Sequence, residues 1–427
     1  MARVAIIGGG LAGLCCARAL DAAGTEWVLL EGSDAPGGRV RTDVVDGFLL
    51  DRGFQVLLTA YREAGEVLDY QALNLRTFYA GAMVWSGGEF QRVAHPLRHP
   101  VAAARMLAQR PSAALDAARL VPMALAAMRA PAVAPGTSVG TTQDLFQRLD
   151  LSRGFVDGFA RSFFGGVFLD RTLHTDASQF SFTFANFARG DVAVPARGMG
   201  AIPAQIAAGL AGGTMHLRTP VACYERTVGG LVVRTAAGAE HLADAVVVAT
   251  DMTSAHQMDP RIAEGHWQQT TTFHFACSTQ DLPAPMHENV LFLDGAGTGP
   301  VNHAACVSSV APEYAPEGQA LVSLNLVDTD WASLSMSSAQ ARIVQQMELW
   351  FGPQAMRRWR LLRTHHLLRA LPRQHPQDVR QRPGVVLDDG IFLAGDYVTD
   401  GSIDGAMRSG RHAARAAVDW LSRRRPS

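Results

Sequence analysis

The sequence contains no lysine. All 38 of its basic residues are arginine, set against 39 acids for a formal net charge of −1. No role that needs a primary-amine side chain can be filled, and no global field draws the chain to nucleic acid or turns it from acidic substrates. Cysteine is scarce: Cys15, Cys16, Cys223, Cys277 and Cys306 make an odd set with no C-x-x-C pair. That speaks against a disulfide framework or a zinc site and fits a reducing, cytoplasmic compartment. Long apolar runs are missing too, and none reaches the roughly eighteen residues of a membrane span. Met1, Arg3 and the apolar run behind them imitate an export signal. Gly8, Gly9 and Gly10 break that run where such a signal keeps an unbroken helix. What remains is 427 residues, 48% hydrophobic and only 18% charged, with 41 glycines. This is the composition of a soluble globular chain too long for one ordinary core, so two domains are expected.

Residues 3–7 read as a short buried strand, 11–23 as an Ala/Leu helix and 26–31 as a second buried strand ending on an acid. Together they make a β-turn-α-β unit of a parallel sheet. From about 95 to 135 the composition turns to Ala, Leu, Met and Arg. Pro96, Pro100, Pro111, Pro122, Pro131 and Pro135 are expected to punctuate short helices there. Residues 142–190 continue helical and carry Phe155, Phe159, Phe163, Phe164, Phe168, Phe180, Phe182, Phe184 and Phe187, which read either as ordinary core or as the wall of an apolar channel. Short strands are expected over 215–250, 268–330 and 360–370, with helices over 198–210 and 341–352. The opening logic then returns as a strand at 391–394, Gly395-Asp396, a loop, and a helix from about Gly405 to Trp420. The terminal Arg423-Arg424-Arg425-Pro426-Ser427 reads as a solvated tail.

Four motifs carry chemistry. In Gly8-x-Gly10-x-x-Gly13, Gly8 permits a tight turn, Gly10 lets backbone approach a pyrophosphate and Gly13 lets the helix pack on the strand. Leu11 and Ala12 open that helix, whose N–H groups and positive dipole end suit phosphate. Glu31, eighteen positions after Gly13 and followed by Gly32, can hold a ribose hydroxyl pair. Next comes Gly37-Gly38-Arg39-Val40-Arg41-Thr42: the glycines bring backbone close to a cofactor and Arg39 can neutralise phosphates. In Leu50-Asp51-Arg52-Gly53-Phe54-Gln55, Gly53 allows close approach, while Phe54 and Gln55 face a cofactor ring or substrate. Asp51 reads equally as a buried structural hydrogen-bonder. Last is Gly395-Asp396-Tyr397 with Ser402-Ile403-Asp404-Gly405-Ala406-Met407. Here Asp396 can accept from a ribityl chain, and a helix N-terminus stabilises negative charge on a reduced flavin. Two separated halves of one flavin-dinucleotide site are thus expected, with non-covalent FAD as cofactor. Phe54, Gln55, Tyr397 and Ser402 are the pocket candidates; no metal is expected, and no catalytic residue is assigned.

These motifs together resemble the flavin-containing amine oxidase superfamily, with its protoporphyrinogen oxidases and carotenoid desaturases. The resemblance implies an α/β fold: a Rossmann-like, glutathione-reductase-like FAD-binding domain on a parallel sheet (1–75, 190–255 and 385–427), interleaved with an α+β substrate-binding domain carrying a helical cap (76–189 and 256–384). It also implies that the backbone of Val221 meets the adenine side. Many amine oxidases of this group use a Lys near flavin N5, which this chain cannot supply. They often place an aromatic three residues before the Gly-Ala pair, where Ser402 stands. No Cys near the C-terminal motif offers a covalent flavin link. Gly395-Asp396-Tyr397 with Ser402-x-Asp404-Gly405-Ala406 looks more like plant-type phytoene and zeta-carotene desaturases, and Phe163-Phe164-Gly165-Gly166-Val167-Phe168 is similar to the desaturase and protoporphyrinogen oxidase side. The implied activity is desaturase-like hydride removal from an apolar substrate, with O2 or a quinone as electron acceptor; the alternatives are a protoporphyrinogen-type oxidase or an amine oxidase lacking the usual Lys. Residues 97–130 hold Arg98, Arg105, Arg110, Arg119 and Arg129 against Asp116 alone. They read either as a peripheral membrane contact or as a solvated cap. His174, His274, His303, His365 and His366 lack metal-ligand spacing and read as core or surface residues.

Overall fold

The computed structural model describes residues 4–96, 98–109, 111–129, 140–327 and 336–424. The readings on Met1, Arg3, Arg110, Pro131, Pro135 and Arg425 to Ser427 lie outside the described residues. Six strands form one sheet in the spatial order Gly213–His216, Trp27–Leu30, Val4–Ile7, Ala245–Val248, Ile391–Leu393, Val386–Asp388. The first five are parallel and the last is antiparallel. The central strands are apolar at every position because both faces are covered. Val4, Ile6, Leu29, Ala245 and Val247 face the helices Leu11–Ala22 and Ile403–Arg424. Ala5, Ile7, Val28, Val246 and Val248 face a three-stranded antiparallel sheet of Val221–Thr227, Gly230–Thr235 and Glu240–Ala243. The alternation of side chains along each strand thus builds three layers.

The second large sheet has seven strands, in the order Arg360–Pro372, Trp267–Ser278, Gln319–Leu326, Val301–Cys306, Leu291–Asp294, Gly81–Ser86, Glu89–Ala94. One of its faces packs Phe273, Phe275, Val301 and Ala304 against Ile343, Met347 and Trp350 of the helix Met336–Phe351. The other turns toward the helices Arg161–Phe168 and Ala177–Arg189. A small antiparallel sheet of Leu57–Leu58, Val192–Pro195 and Leu75–Thr77 ties early to middle chain.

The segment read as short proline-punctuated helices differs from that reading. Pro100 and Pro111 each open a helix, where a missing N–H costs little, but Pro122 lies inside the nineteen-residue helix Pro111–Arg129. Ala, Leu and Met on either side are strong helix formers, and Met123 packs on the phenylalanine cluster, so the helix continues through the lost hydrogen bond.

Candidate functional site

The opening turn is held by contacts that admit no side chain. Gly8 has φ +107°, and a Cβ there would stand 2.8 Å from the Ala249 carbonyl oxygen. A Cβ on Gly13 would overlap the carbonyl oxygen of Gly8 itself. Around Gly10 the space is open, with no atom within 4 Å of where its Cβ would point. Glu31 is fixed beside this turn. Its Oε2 accepts from the Gly9 N–H at 2.6 Å, and its Oε1 accepts from the Ser33 N–H at 2.7 Å and the Ser33 hydroxyl at 2.6 Å.

From here one continuous cavity of about 960 Å3 runs through the molecule. At one end it is walled by Gly8, Gly10, Leu11, Ala12, Glu31, Gly32, Gly37, Gly38, Arg39 and Val221. In its middle lie Gly53, Phe54, Gln55, Gly395, Asp396, Ser402 and Ala406. At the other end stand Phe159, Phe163, Phe164, Phe168, Phe184 and Phe187, with Gln179, Thr183 and His303. The phenylalanines therefore divide: these six line the cavity, whereas Phe155, Phe180 and Phe182 do not and belong to the packing behind it.

Four residues named from the sequence fall outside the wall. Tyr397 is buried among Ile7, Val248 and Leu393 on the far side of the parallel sheet, because the alternation beyond Leu393 turns its ring away from the cavity. It is thus not a pocket residue. Gly13 and Gly405 serve close packing; a Cβ on Gly405 would stand 2.5 Å from the Asp400 carbonyl oxygen. Met407 is fully buried in the helix-side core. Ser402 does reach the cavity, and it also caps the last helix, its Oγ accepting from the Gly405 N–H at 2.9 Å.

Arg39 and Asp396, separate ligands by their motifs, are also partners of each other. Arg39 donates to Asp396 Oδ1 at 2.7 Å and to the Ala370 carbonyl at 3.0 Å. Burial works against the guanidinium charge, and Asp396 and Asp251 outweigh it, so the group stays charged. Gln55 donates to the carbonyls of Arg39 and Arg52, both at 2.8 Å, locking the turn that presents Phe54. Asp51 resolves as structural: buried, it accepts from Thr42 at 2.5 Å, the Met199 N–H at 2.9 Å and Tyr314 at 2.8 Å. Burial pushes its carboxyl up to about 6 despite these donors.

The reading of His303 as an ordinary core or surface residue missed its place on the cavity wall. Its ring meets that of Phe54 edge-on at 4.7 Å between centroids. Burial pushes it down to about 3, so it is neutral. No local signal marks it, since its orientation comes from an irregularity in a sheet.

A profile of the flavin-containing amine oxidoreductase family matches residues 11–418. Among solved structures, the chain resembles a putrescine oxidase bound to putrescine, with 17% identity, TM-score 0.73, and 98% of this chain and 99% of that one covered. It also resembles an oxidoreductase from Methanosarcina mazei, at 16%, TM-score 0.73, and 97% and 100% covered. A candidate protoporphyrinogen oxidase from Exiguobacterium sp. is similar at 16%, TM-score 0.72, and 98% and 99% covered.

Proposed function

This chain belongs to the flavin-containing amine oxidoreductase family, and from that premise we propose that it is an FAD-dependent dehydrogenase acting on a C–H bond of a largely apolar substrate. The residues fit the cofactor. The open space at Gly10, backed by backbone at Gly8 and Gly13, suits a pyrophosphate on a helix N-terminus. Glu31, oriented by Gly9 and Ser33, would hold the ribose, and Pro220 to Ala222 would flank the adenine. Arg39, Gly53 to Gln55, Asp396, Ser402 and Ala406 would meet the remainder. On this reading residues 1–75, 190–255 and 385–427 hold the cofactor, and 76–189 and 256–384 cover the substrate. When bound, FAD would supply the two-electron chemistry of dehydrogenation, the hydride and the proton lost from adjacent substrate atoms ending together on the acceptor, as hydrogen peroxide from O2 or as a quinol from a quinone.

The observation that carries the proposal is the continuity of one cavity from the glycine turn to a chamber of six phenylalanine rings. Those rings exclude water and orient an apolar skeleton. Four carboxylates reach the cavity, and each is engaged: Glu31 by backbone, Asp191 by Arg98, Asp251 by Thr253, Ser254 and Arg369, and Asp396 by Arg39. None stands without a partner. An anaerobic screen following flavin bleaching tests this. Reduced polyene or tetrapyrrole compounds are expected to bleach the flavin and simple amines are not; bleaching by amines alone would overturn the reading. Stopped-flow reoxidation then separates a protoporphyrinogen-type oxidase, fast with O2, from a desaturase, which prefers a quinone.

A second reading concerns the cap. Val101, Leu115, Val121, Leu125 and Met128 are all more than two-fifths exposed on the helices Pro100–Gln109 and Pro111–Arg129, the second of which ends on Arg129. No helix among the described residues is long and apolar enough to cross a membrane. Exposed apolar side chains on helices that also carry Arg105 and Arg129 favour peripheral contact with an anionic bilayer, where an apolar substrate is found. Flotation with anionic liposomes is expected to carry the protein up and Leu125→Glu/Met128→Glu to leave it behind; wild type staying at the bottom overturns the contact.

A further inference from the structure

The strand Val301–Cys306 does not pair evenly with Gln319–Leu326: Val301 faces Leu326, while His303 faces Asn325, so Asn302 is an extra residue, a β-bulge. A bulge breaks side-chain alternation and re-aims the residues beside it. Here it places Asn302 and His303 side by side beneath the helix Arg161–Phe168. The Asn302 amide nitrogen donates to the Ser162 carbonyl oxygen at 2.9 Å. A carbonyl can only accept, so the orientation of that amide is determined. The same nitrogen stands 3.1 Å from His303 Nδ1, which therefore accepts. A neutral imidazole accepting at Nδ1 carries its proton on Nε2. His303 is 3% exposed and lines the chamber, and its Nε2 has no hydrogen-bond partner among the described residues. Buried donors without partners are rare in folded proteins and costly, so this one calls for a partner. Two other cavity-wall atoms, Gln179 Oε1 and His95 Nδ1, also lack partners. An amide or imidazole held by no side-chain partner can present either a donor or an acceptor, whereas His303 has its polarity set.

We infer that His303 Nε2–H is the specificity-determining donor of the chamber, and that the substrate carries a neutral or anionic hydrogen-bond acceptor, such as a carbonyl or carboxylate, on its apolar skeleton. An ammonium group there would meet a donor and no free carboxylate. The inference rests on the apolar-substrate reading above and narrows it. His303 touches Phe54, so the acceptor is held beside the segment assigned to the cofactor.

The test uses the flavin-loaded enzyme and three probes of one shape: 2-ethylnaphthalene, 2-acetylnaphthalene and 2-(aminomethyl)naphthalene, each titrated through the flavin absorbance. Wild type is expected to bind the ketone about tenfold more tightly than the hydrocarbon, the value of one buried hydrogen bond, and the ammonium probe most weakly. His303→Phe should erase the ketone preference and keep hydrocarbon affinity, while His303→Gln, which retains a donor, should restore part of it. Asn302→Leu, which frees the tautomer, should reduce the preference. An unchanged ketone preference in His303→Phe overturns the inference. So does a shifted flavin spectrum without ligand in that variant together with an unchanged preference, which would assign the donor to the cofactor. Hydrocarbon binding in wild type with no ketone preference overturns this inference alone; failure of all three probes to bind overturns the apolar-substrate reading as well.

Discussion

Arg39 and Asp396 stand 357 positions apart and meet at 2.7 Å on the wall of the cavity. Asp396 is nearly buried, whereas about a third of the Arg39 side chain is open. Solvent screens the pair in part, and its worth lies between that of a surface bridge and a buried one. A double-mutant cycle with Arg39→Ala and Asp396→Ala is expected to give a coupling of about 1 to 3 kcal/mol by urea denaturation. Arg39→Ala alone should also lose flavin during gel filtration; a coupling near zero would show the pair to be incidental. The opening turn was readable from local spacing, because its geometry restricts what can stand there: Gly8 takes a positive φ against the Ala249 carbonyl, and the Glu31 carboxylate is fixed beside it by Gly9 and Ser33. Tyr397 was not readable, since the side of the sheet its ring occupies depends on how the chain leaves the strand.

At the scale of elements, the opening helix Leu11–Ala22 and the last helix Ile403–Arg424 cross so closely that a Cβ on Gly410 would overlap the Ala12 carbonyl oxygen. This contact sets the first helix, and with it the turn from Gly8 to Gly13, against the second half of the site. Gly410→Val is expected to cost about 1 to 3 kcal/mol and to lower flavin content, read by thermal denaturation and the protein-to-flavin absorbance ratio. Gly158→Ala is the control: nothing lies within 4 Å of its Cβ position, and no loss of flavin is expected. Equal losses in both would show that backbone freedom, not the crossing, is at issue. Both helices were legible from their Ala-rich pattern. The hairpin Gly81–Ser86 and Glu89–Ala94 was not, because it joins strands some two hundred residues later and its register is set by Leu291–Asp294.

For the whole molecule, burial governs the response to acid. His274 and His303 are pushed by burial from the ordinary 6.5 to about 3, so their contribution is present above pH 6.5 and is lost as pH falls toward 3. Asp43 is opposed by burial, but Arg52, His365 and Arg363 outweigh it and hold it at about 2; its contribution is lost only below 3.8. Asp51 runs the other way: its contribution is complete below 3.8 and is lost as pH rises through about 6. Between pH 6 and 4 these two imidazoles lose stability, as do His95, His241, His365 and His412, which burial also holds low, while Asp51 and Asp404, which burial holds high, gain it. Urea midpoints from pH 8 to 4 should decline below 6.5, and a flat profile would contradict the burial of the two histidines. The parallel-sheet half of the molecule and its glycine turn were legible in the sequence, because buried strands, glycine turns and helix starts obey rules that act within a few residues. Which phenylalanines line the cavity, that Arg39 pairs with Asp396, and that His303 stands at the cavity wall beside a one-residue bulge were settled by packing. Each of these is a contact between segments far apart in the chain, and its energy exists only once the sheets have packed.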